Sequence, residues 1–315
     1  MGSARANGGS AAGSVDTLVV EREGHGTIAV TGPDARAWLN GLVTCELGTL
    51  ALGAGAWGLL LTKQGKIVTD FEVVVGASAL FLSVAEPRRA RLLEVLDRHL
   101  IMEDVELTDR SDELGWLVLH GARAAEVARE VALAHGAEAG AVDWTGRGGA
   151  AMVAPRASLS ALLESLGARA VRRASPGEWE ALRIECGVPE FGKDYDDGDK
   201  PHEASLERRA VAWGKGCYLG QEVVYMQDVR GRVRRRVSAL ALGGASPPAR
   251  GASVIGPAGA EVGRVTSSAW SERLGQAVAL AMMQTSALVP GAALTVDGAA
   301  ARPLEPASSP AATRP

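Results

Sequence analysis

The sequence is poor in aromatic residues and in long apolar runs, and each shortage excludes a class of protein. Aromatic residues make up 4% of the 315 residues and hydrophobic residues 47%, so the core must be built mainly from Leu, Val and Ala. No apolar run approaches the roughly 20 residues that a transmembrane helix needs. The net charge of −4 provides no general attraction to nucleic acid or to an anionic membrane. A globular protein of two or three domains, at roughly 100–150 residues each, fits these limits.

Cysteine is also scarce. Cys45, Cys186 and Cys217 are too few and too widely spaced for a disulfide scaffold, which favours a reducing compartment. An iron–sulfur cluster held by one chain usually takes about four thiolates, so this chain should not hold one unaided. Residues 1–14 and 303–315 are rich in small residues or Pro, and we predict two disordered tails. Since the first tail lacks an apolar signal-peptide core, we predict a cytoplasmic protein with no membrane partner.

Hydrophobic periodicity predicts strands and helices that alternate in one order, strand–helix–strand–strand–helix–strand, and the order occurs twice. This order is typical of a ferredoxin-like unit. The predicted strands are Thr27–Val30, Trp57–Leu61, Ile67–Val75, Leu80–Val84, Trp116–His120, Ala141–Trp144 and Ala150–Val153. The predicted helices include one that begins at Pro33-Asp34, then Glu86–Leu100, Ala122–His135, Leu159–Leu166 and one that starts at a Ser175–Glu178 capping box and ends near Cys186.

Short apolar segments separated by Gly- and Pro-rich turns follow Arg236, and they predict a small barrel or sandwich. We therefore expect an α+β protein with two ferredoxin-like units, at 15–105 and 106–236, and a C-terminal β-barrel at 237–302. The second unit carries a long loop, from Val188 to about Gly214, of the length that is usually functional or mobile.

Three apparent motifs fail on their context. Gly53–Gly58 has the spacing of a dinucleotide-binding loop, but a predicted hairpin follows it instead of a helix. Asp194–Asp199 does not have the register of a calcium loop, since its twelfth position is Ser205. His202-Glu203 begins like a zinc-protease helix and lacks the second His.

The segment Lys215–Glu222, which we call the signature segment, holds many chemically capable groups. Lys215 lies two residues from Cys217, and its positive charge favours the thiolate form. Gln221 and Glu222 offer an amide and a carboxylate that can recognise a heterocycle. A Gly-rich turn with a small buried thiol would also explain the first three residues.

The whole signature segment, Lys-Gly-Cys-Tyr-Leu-Gly-Gln-Glu, resembles the signature of the YgfZ/GcvT-like folate-binding family. Members of that family support iron–sulfur enzymes, and related proteins are the aminomethyltransferases of glycine cleavage. The resemblance extends from about Thr27 to Arg236. Further similar stretches are Gly32–Thr44, Lys63–Asp70, Arg183–Pro189 and Pro201–Ala204.

The resemblance implies a ring of three domains around a folate cavity that takes tetrahydrofolate or a one-carbon derivative. It implies that Glu185 holds the pterin, since a carboxylate can accept two parallel hydrogen bonds from that ring. Asp70 matches an acidic residue near the reacting folate nitrogen, although a solvated carboxylate at a hairpin edge is an equal alternative. The remaining candidates are Cys217 as the reactive residue, and Lys215, Gln221, Glu222 and Tyr218 as cofactor-binding residues. Trp213 and Tyr218 could stack on a folate ring or serve the core.

Three functions follow from these observations. The first is a folate-binding accessory protein for iron–sulfur cluster assembly or repair, whose partners are client enzymes or assembly proteins and whose reactive thiol is Cys217. The second is a folate-dependent aminomethyltransferase that uses Asp70 and Glu185. The third is an RNA-associated factor, based on five Arg in Arg230–Arg236, of which Arg232, Arg234 and Arg236 would share one face of an extended strand. The acidic net charge weighs against this third hypothesis, and a solvated strand face also explains the arginines.

Overall fold

The computed structural model describes residues 16–231, 233–257 and 259–304. Within these residues, the strands form two five-stranded sheets and one closed six-stranded barrel. The elements of the first half are β1 (Leu18–Glu21), β2 (His25–Thr31), α1 (Ala35–Asn40), β3 (Gly55–Leu61), β4 (Ile67–Val75), β5 (Leu80–Ala85), α2 (Glu86–Asp97), β6 (Glu106–Asp109), β7 (Leu114–His120), α3 (Ala124–His135), β8 (Glu138–Ala141), β9 (Gly149–Pro155), α4 (Leu159–Gly167) and β10 (Arg172–Arg173). The rest comprises α5 (Pro176–Glu185), α6 (Gln221–Arg230), β11 (Arg235–Leu242), β12 (Ser253–Ile255), β13 (Glu261–Ser271), β14 (Gln276–Gln284), β15 (Leu294–Val296) and β16 (Ala299–Pro303).

The two sheets lie face to face between outer layers of helices. The first sheet has the order β3-β4-β5-β2-β6, and the second has the order β10-β1-β7-β9-β8. On β7, Leu117 and Leu119 pack with α3 and α4 on the outer side. Trp116 and Val118 alternate with them and join an inner cluster that also contains Trp57 from β3. Because both faces of these strands are buried, their sequences are continuous apolar runs without the usual polar alternation.

Sheet membership differs from the predicted domain boundaries at two strands. Leu18–Glu21 falls in the predicted first unit, yet it pairs antiparallel with β7 of the second sheet, from Leu18↔His120 to Glu21↔Leu117. Glu106–Asp109 falls in the predicted second unit, yet it pairs with β2 of the first sheet. Partners so distant along the chain are chosen by long-range backbone hydrogen bonding, which local periodicity does not report. The ferredoxin-like description of each sheet stays a prediction, because a fifth strand lies at the edge of the first sheet and inside the second.

The predicted strand Ala141–Trp144 is wrong in position, and the strand that forms is Glu138–Ala141. Asp143 ends it, because its carboxylate accepts hydrogen bonds from the backbone N–H groups of Thr145 and Gly146, and Gly146 has a φ of 74°. This turn carries Trp144 away from the sheet edge.

The capping box at the start of α5 is confirmed, since the Ser175 side chain accepts from the Glu178 backbone and the Glu178 side chain accepts in return. Gly187 has the left-handed conformation expected after the helix, with a φ of 63°. Helix α6 is absent from the prediction, because Val224 is the residue that it buries and its apolar periodicity is weak.

The barrel is confirmed, and it begins at Arg235 and includes a strand, Ala299–Pro303, that extends into the predicted C-terminal tail. The arginine stretch does not form one extended stripe, since Arg230 ends α6 and β11 starts at Arg235. Arg232 lies outside the described residues. None of the helices in the described ranges has the length and apolar character needed to cross a membrane.

Candidate functional site

A cavity lies between the inner faces of the two sheets, beside α5 and the start of the Val188–Gly214 loop. Its cavity volume is about 60 Å³. Its lining combines four aromatic rings, two histidines and two charges of each sign: Trp57, Trp144, Trp179, Phe191, His25, His120, Arg22, Arg183, Asp70 and Glu190. An apolar cavity with a few convergent polar groups is the usual form of a small-molecule site.

Asp70 is the predicted site residue that lines this cavity. It lies on β4 with Glu72 and Val74 at alternate positions, so the three side chains share the inner face. The Trp57 indole donates to Asp70 Oδ2 at 3.1 Å. Burial and the nearby Glu72 carboxylate raise the pKa of Asp70 to about 6. The carboxyl can therefore both bind and release a proton close to neutral pH.

Glu72 is paired with an arginine from the opposite sheet. Arg22 directly follows β1, and its Nη2 donates to Glu72 Oε1 at 2.5 Å across 50 residues of chain. Burial opposes ionisation of Glu72, but Arg22 holds the pKa of this carboxyl below its usual value. The ion pair ties the two sheets together and sets the charge beside Asp70.

Both histidines of the cavity are neutral. Burial, together with the positive charge of Arg22, lowers the pKa of His25 and of His120 to about 3. His25 Nδ1 lies 3.0 Å from the Ser83 hydroxyl. His120 ends β7 and stacks on Trp179.

The Val188–Gly214 loop completes the cavity with Phe191. The Tyr195 ring packs edge to face on Phe191, with centroids 5.4 Å apart. Burial, and the charge of Asp70 after it, raise the pKa of Tyr195 well above its usual value. The phenol therefore stays protonated beside the carboxylate.

Glu185 lies on α5 but turns toward the barrel, while Trp179 and Arg183 of the same helix line the cavity. Its carboxylate accepts from the Ser271 hydroxyl and, at 2.7 Å, from Arg273 Nε. Its side chain is 4% exposed. The carboxylate of Glu185 is therefore engaged by the barrel on both of its oxygens.

The signature segment is not part of the cavity lining. The Lys215 ammonium is buried and donates to the backbone oxygens of Asn40, Val43 and Cys45 at 2.6–2.8 Å. Desolvation lowers the pKa of Lys215. All of its N–H donors are thus directed at the chain after α1, which makes Lys215 a structural connection in this structure.

The other signature residues differ in their exposure. Cys217 is exposed, and Tyr218 is buried with its ring 5.6 Å from the Lys215 ammonium. Gln221 and Glu222 form the first turn of α6, and Glu222 is exposed. The structure therefore places Asp70, Glu185 and the signature segment at three separate locations.

Two protein-family models match this chain, one in its N-terminal half and one in its C-terminal part. Residues 15–158 match the GCVT N-terminal domain, and residues 234–310 match the glycine cleavage T-protein C-terminal barrel domain. The chain belongs to the GcvT-like family. The second match covers the strands that form the closed barrel.

Curated relatives support the same family over most of this GcvT-like chain. An aminomethyltransferase of Herpetosiphon aurantiacus is 27% identical over 285 residues, which span 85% of this chain and 78% of that protein. A mitochondrial aminomethyltransferase of Gallus gallus is 28% identical over 301 residues, or 85% of this chain and 74% of that protein. The crystal structure of glycine cleavage system aminomethyltransferase T from Bartonella henselae superimposes with a TM-score of 0.75. It is 19% identical and covers 93% of this chain and 86% of that one, which establishes the shared fold.

Sequence reasoning did not single out Glu72, which lies beside the cavity, or several lining residues of this GcvT-like chain, among them Arg22, His120, Trp144 and Trp179. Glu72 and His120 did carry a signal, because each is an ionisable residue within or at the end of a largely apolar strand sequence. A buried ionisable residue in such a strand needs a partner, and that requirement marks it as a candidate. The others come from a strand end, a turn and a helix start, whose positions depend on the tertiary fold.

Proposed function

We propose that the chain binds tetrahydrofolate or a one-carbon derivative in the cavity and acts as a folate-dependent aminomethyltransferase. The observation that carries the proposal is Asp70, a carboxyl that burial and Glu72 bring to a pKa of about 6 inside an aromatic cavity. A group with this proton affinity is suited to general acid–base chemistry at neutral pH. The names of the curated relatives support the same activity.

The cavity residues fit a folate ring in their chemistry. Trp57, Trp144 and Trp179 offer aromatic surface to a planar heterocycle. Among the described residues, no hydrogen-bond partner reaches either nitrogen of His120 or the indole N–H of Trp144, and these atoms are all buried. Buried donors and acceptors are normally satisfied, so the set is complementary to a ligand with a polar edge.

Bound tetrahydrofolate would supply the amine nitrogens that accept a one-carbon unit. The contribution of the chain is proton transfer and exclusion of water. The Trp57 indole N–H donates to Asp70 Oδ2 and holds the carboxyl in place, where it can take a proton from a ligand amine or return it. The surrounding rings keep water away from Asp70 and so maintain its raised pKa.

The test combines calorimetric titration of tetrahydrofolate with an assay of methylene transfer from the lipoyl carrier of glycine cleavage. We expect micromolar binding by the wild type and a loss of about 100-fold or more in transfer rate for Asp70→Asn. Asp97→Asn, which changes an exposed carboxylate at the end of α2, is the matched control and should leave the rate unchanged. Absence of tetrahydrofolate binding by the wild type would refute the proposal.

A second candidate function is the accessory role in iron–sulfur cluster assembly or repair. Its specific support is the exposed thiol of Cys217 within a signature segment that resembles that of the YgfZ-type proteins. We expect Cys217→Ser to lower the activity of cluster-dependent enzymes in cells if this role is correct. Full activity of those enzymes together with a positive methylene-transfer assay would leave the aminomethyltransferase proposal alone.

A further inference from the structure

His120 is the last residue of β7 and lines the cavity. It is 2% exposed, and its ring stacks on Trp179 with centroids 4.4 Å apart and an interplanar angle of 23°. Trp144 contacts the same ring at 5.3 Å and 59°. The two indoles therefore fix the plane of the imidazole at the wall of the cavity.

Neither ring nitrogen of His120 has a hydrogen-bond partner within residues 16–231, 233–257 and 259–304. A neutral imidazole carries one N–H donor and one lone pair, and leaving both unmet in a buried place is costly. The Trp144 indole N–H, which lines the same cavity, is also buried and unmet there. The cavity wall thus presents the His120 imidazole, which can donate one hydrogen bond and accept one, beside the indole N–H donor of Trp144.

Charge does not account for this arrangement. The pKa of His120 is about 3 because of burial and Arg22, so the imidazole is uncharged at neutral pH and offers no positive charge to an anion. An uncharged, flat group that both donates and accepts is complementary to the edge of an uncharged heterocycle. Either nitrogen of the His120 ring can carry the proton, so the imidazole can adopt the tautomer that matches that edge.

We propose that His120 is a specificity-determining residue whose imidazole hydrogen-bonds the edge of an uncharged planar heterocycle in the cavity. The inference rests on the proposed folate binding, in which the heterocycle is the pterin ring. Trp179 and Trp144 act as positioning residues, since their contacts set the direction of the two ring nitrogens. Recognition of this kind is strongly selective, because a ligand without the polar edge leaves the buried nitrogens unpaired.

The first experiment follows the imidazole nitrogens by ¹⁵N NMR in histidine-labelled wild-type protein during titration with tetrahydrofolate. We expect the His120 resonances to move to those of a single hydrogen-bonded tautomer. His99 and His135, which do not line the cavity, should not change. Parallel titrations use 6-hydroxymethylpterin and 4-aminobenzoylglutamate, and the pterin alone should reproduce the His120 change.

The second experiment measures tetrahydrofolate affinity by calorimetry for His120→Phe and His120→Gln. Phe keeps a stacking ring without nitrogens, and we expect the Kd to rise at least 10-fold. Gln keeps a donor and an acceptor, and it should recover part of the affinity. His135→Gln, at an exposed position at the end of α3, is the control.

The outcomes separate the inference from the function on which it rests. Tetrahydrofolate binding by the wild type with unchanged His120 resonances, or with an unchanged Kd in a folded His120→Phe variant, overturns the inference and leaves folate binding in place. A His120 response to 4-aminobenzoylglutamate alone also overturns it. No binding by the wild type overturns both proposals. If His120→Phe does not fold, the wild-type resonances decide the matter.

Discussion

The cavity and the signature segment are two polar regions of one chain that use their charged groups in opposite ways. In the cavity, Asp70 and His120 face open space, and their proton affinities are moved by burial and by neighbouring charge. In the signature segment, the Lys215 ammonium donates its hydrogen bonds to the backbone oxygens of Asn40, Val43 and Cys45, and Cys217 is exposed. Lys215 of the signature segment therefore stabilises the fold. Asp70 and His120 of the cavity instead face a space in which a ligand could bind.

This difference shows that a distinctive sequence motif can lie outside the lining of a cavity. A buried lysine with three carbonyl partners has no donor left for a ligand. A carboxyl with a pKa of about 6, such as Asp70, can bind and release a proton close to neutral pH. Four substitutions test the contrast, and the largest expected effect comes first.

Arg22→Met should give the largest loss of stability, because it leaves the Glu72 carboxylate buried without its partner. We expect a decrease of about 3–5 kcal/mol in the free energy of unfolding, measured by urea denaturation at pH 7. Loss of the positive charge should also raise the pKa of Asp70 further, so the acid limb of a pH–rate profile should move to higher pH. Arg173→Met, at an exposed pair with Glu21 at 3.1 Å, is the control and should cost less than about 1 kcal/mol.

Lys215→Met should be the next most damaging change, since it leaves the oxygens of Val43 and Cys45 buried without donors. We expect a loss of about 2–4 kcal/mol in the free energy of unfolding. Tetrahydrofolate affinity of the folded variant should stay within about threefold of wild type, because Lys215 is outside the cavity lining. Lys66→Met, at an exposed hairpin position, is the matched control. A large loss of affinity with normal stability would restore Lys215 as a ligand contact.

Asp70→Asn should stabilise the protein at high pH while it removes activity. The pKa of Asp70 is about 6 in the folded state, above the 3.8 of an unperturbed Asp, so folding favours the protonated form. The stability that this group contributes is fully present below about pH 4 and is lost as the pH rises through about 6. The variant should therefore gain roughly 1–3 kcal/mol at pH 8 and little at pH 4. Urea denaturation at the two pH values measures the difference, and equal gains at both would contradict the buried-carboxylate explanation.

Cys217→Ser should have the smallest effect on the isolated protein. The thiol is exposed, so we expect a melting temperature within about 1 °C of wild type and unchanged tetrahydrofolate affinity. Cys45→Ser provides the contrast, since burial raises the pKa of the Cys45 thiol to about 12 and a hydroxyl there lacks the same packing. A strong effect of Cys217→Ser on stability would show that the signature segment is structural throughout.

Sequence reasoning predicted much of the fold and little of the cavity. The paired apolar runs at Trp57–Leu61 and Ile67–Val75 form the expected hairpin, and the Ser175 capping box begins α5 as expected. Both are local signals, in which neighbouring residues determine the structure. Strand β1 and helix α6 were missed, since their structure depends on distant partners or on weak periodicity.

The candidate site was predictable only where one residue carried its own signal. Asp70 was identified through the resemblance of its hairpin to that of a known family, and the structure places it in the cavity. Glu185 was identified in the same way, but its carboxylate is engaged by Ser271 and Arg273 of the barrel. The sequence does not report which neighbour a polar side chain will meet.

The sequence by itself determined the hairpins, the capped helix, the barrel and the family, because each depends on short-range pattern or on a continuous motif. The tertiary structure alone decided that Arg22 meets Glu72, that Trp144 and Trp179 enclose His120, and that Lys215 is consumed by the chain after α1. These contacts join residues separated by 24 to 175 positions, from Trp144 beside His120 to Lys215 beside Asn40. They arise from tertiary packing, and in the cavity the burial that this packing creates sets the proton affinities on which the proposed chemistry depends.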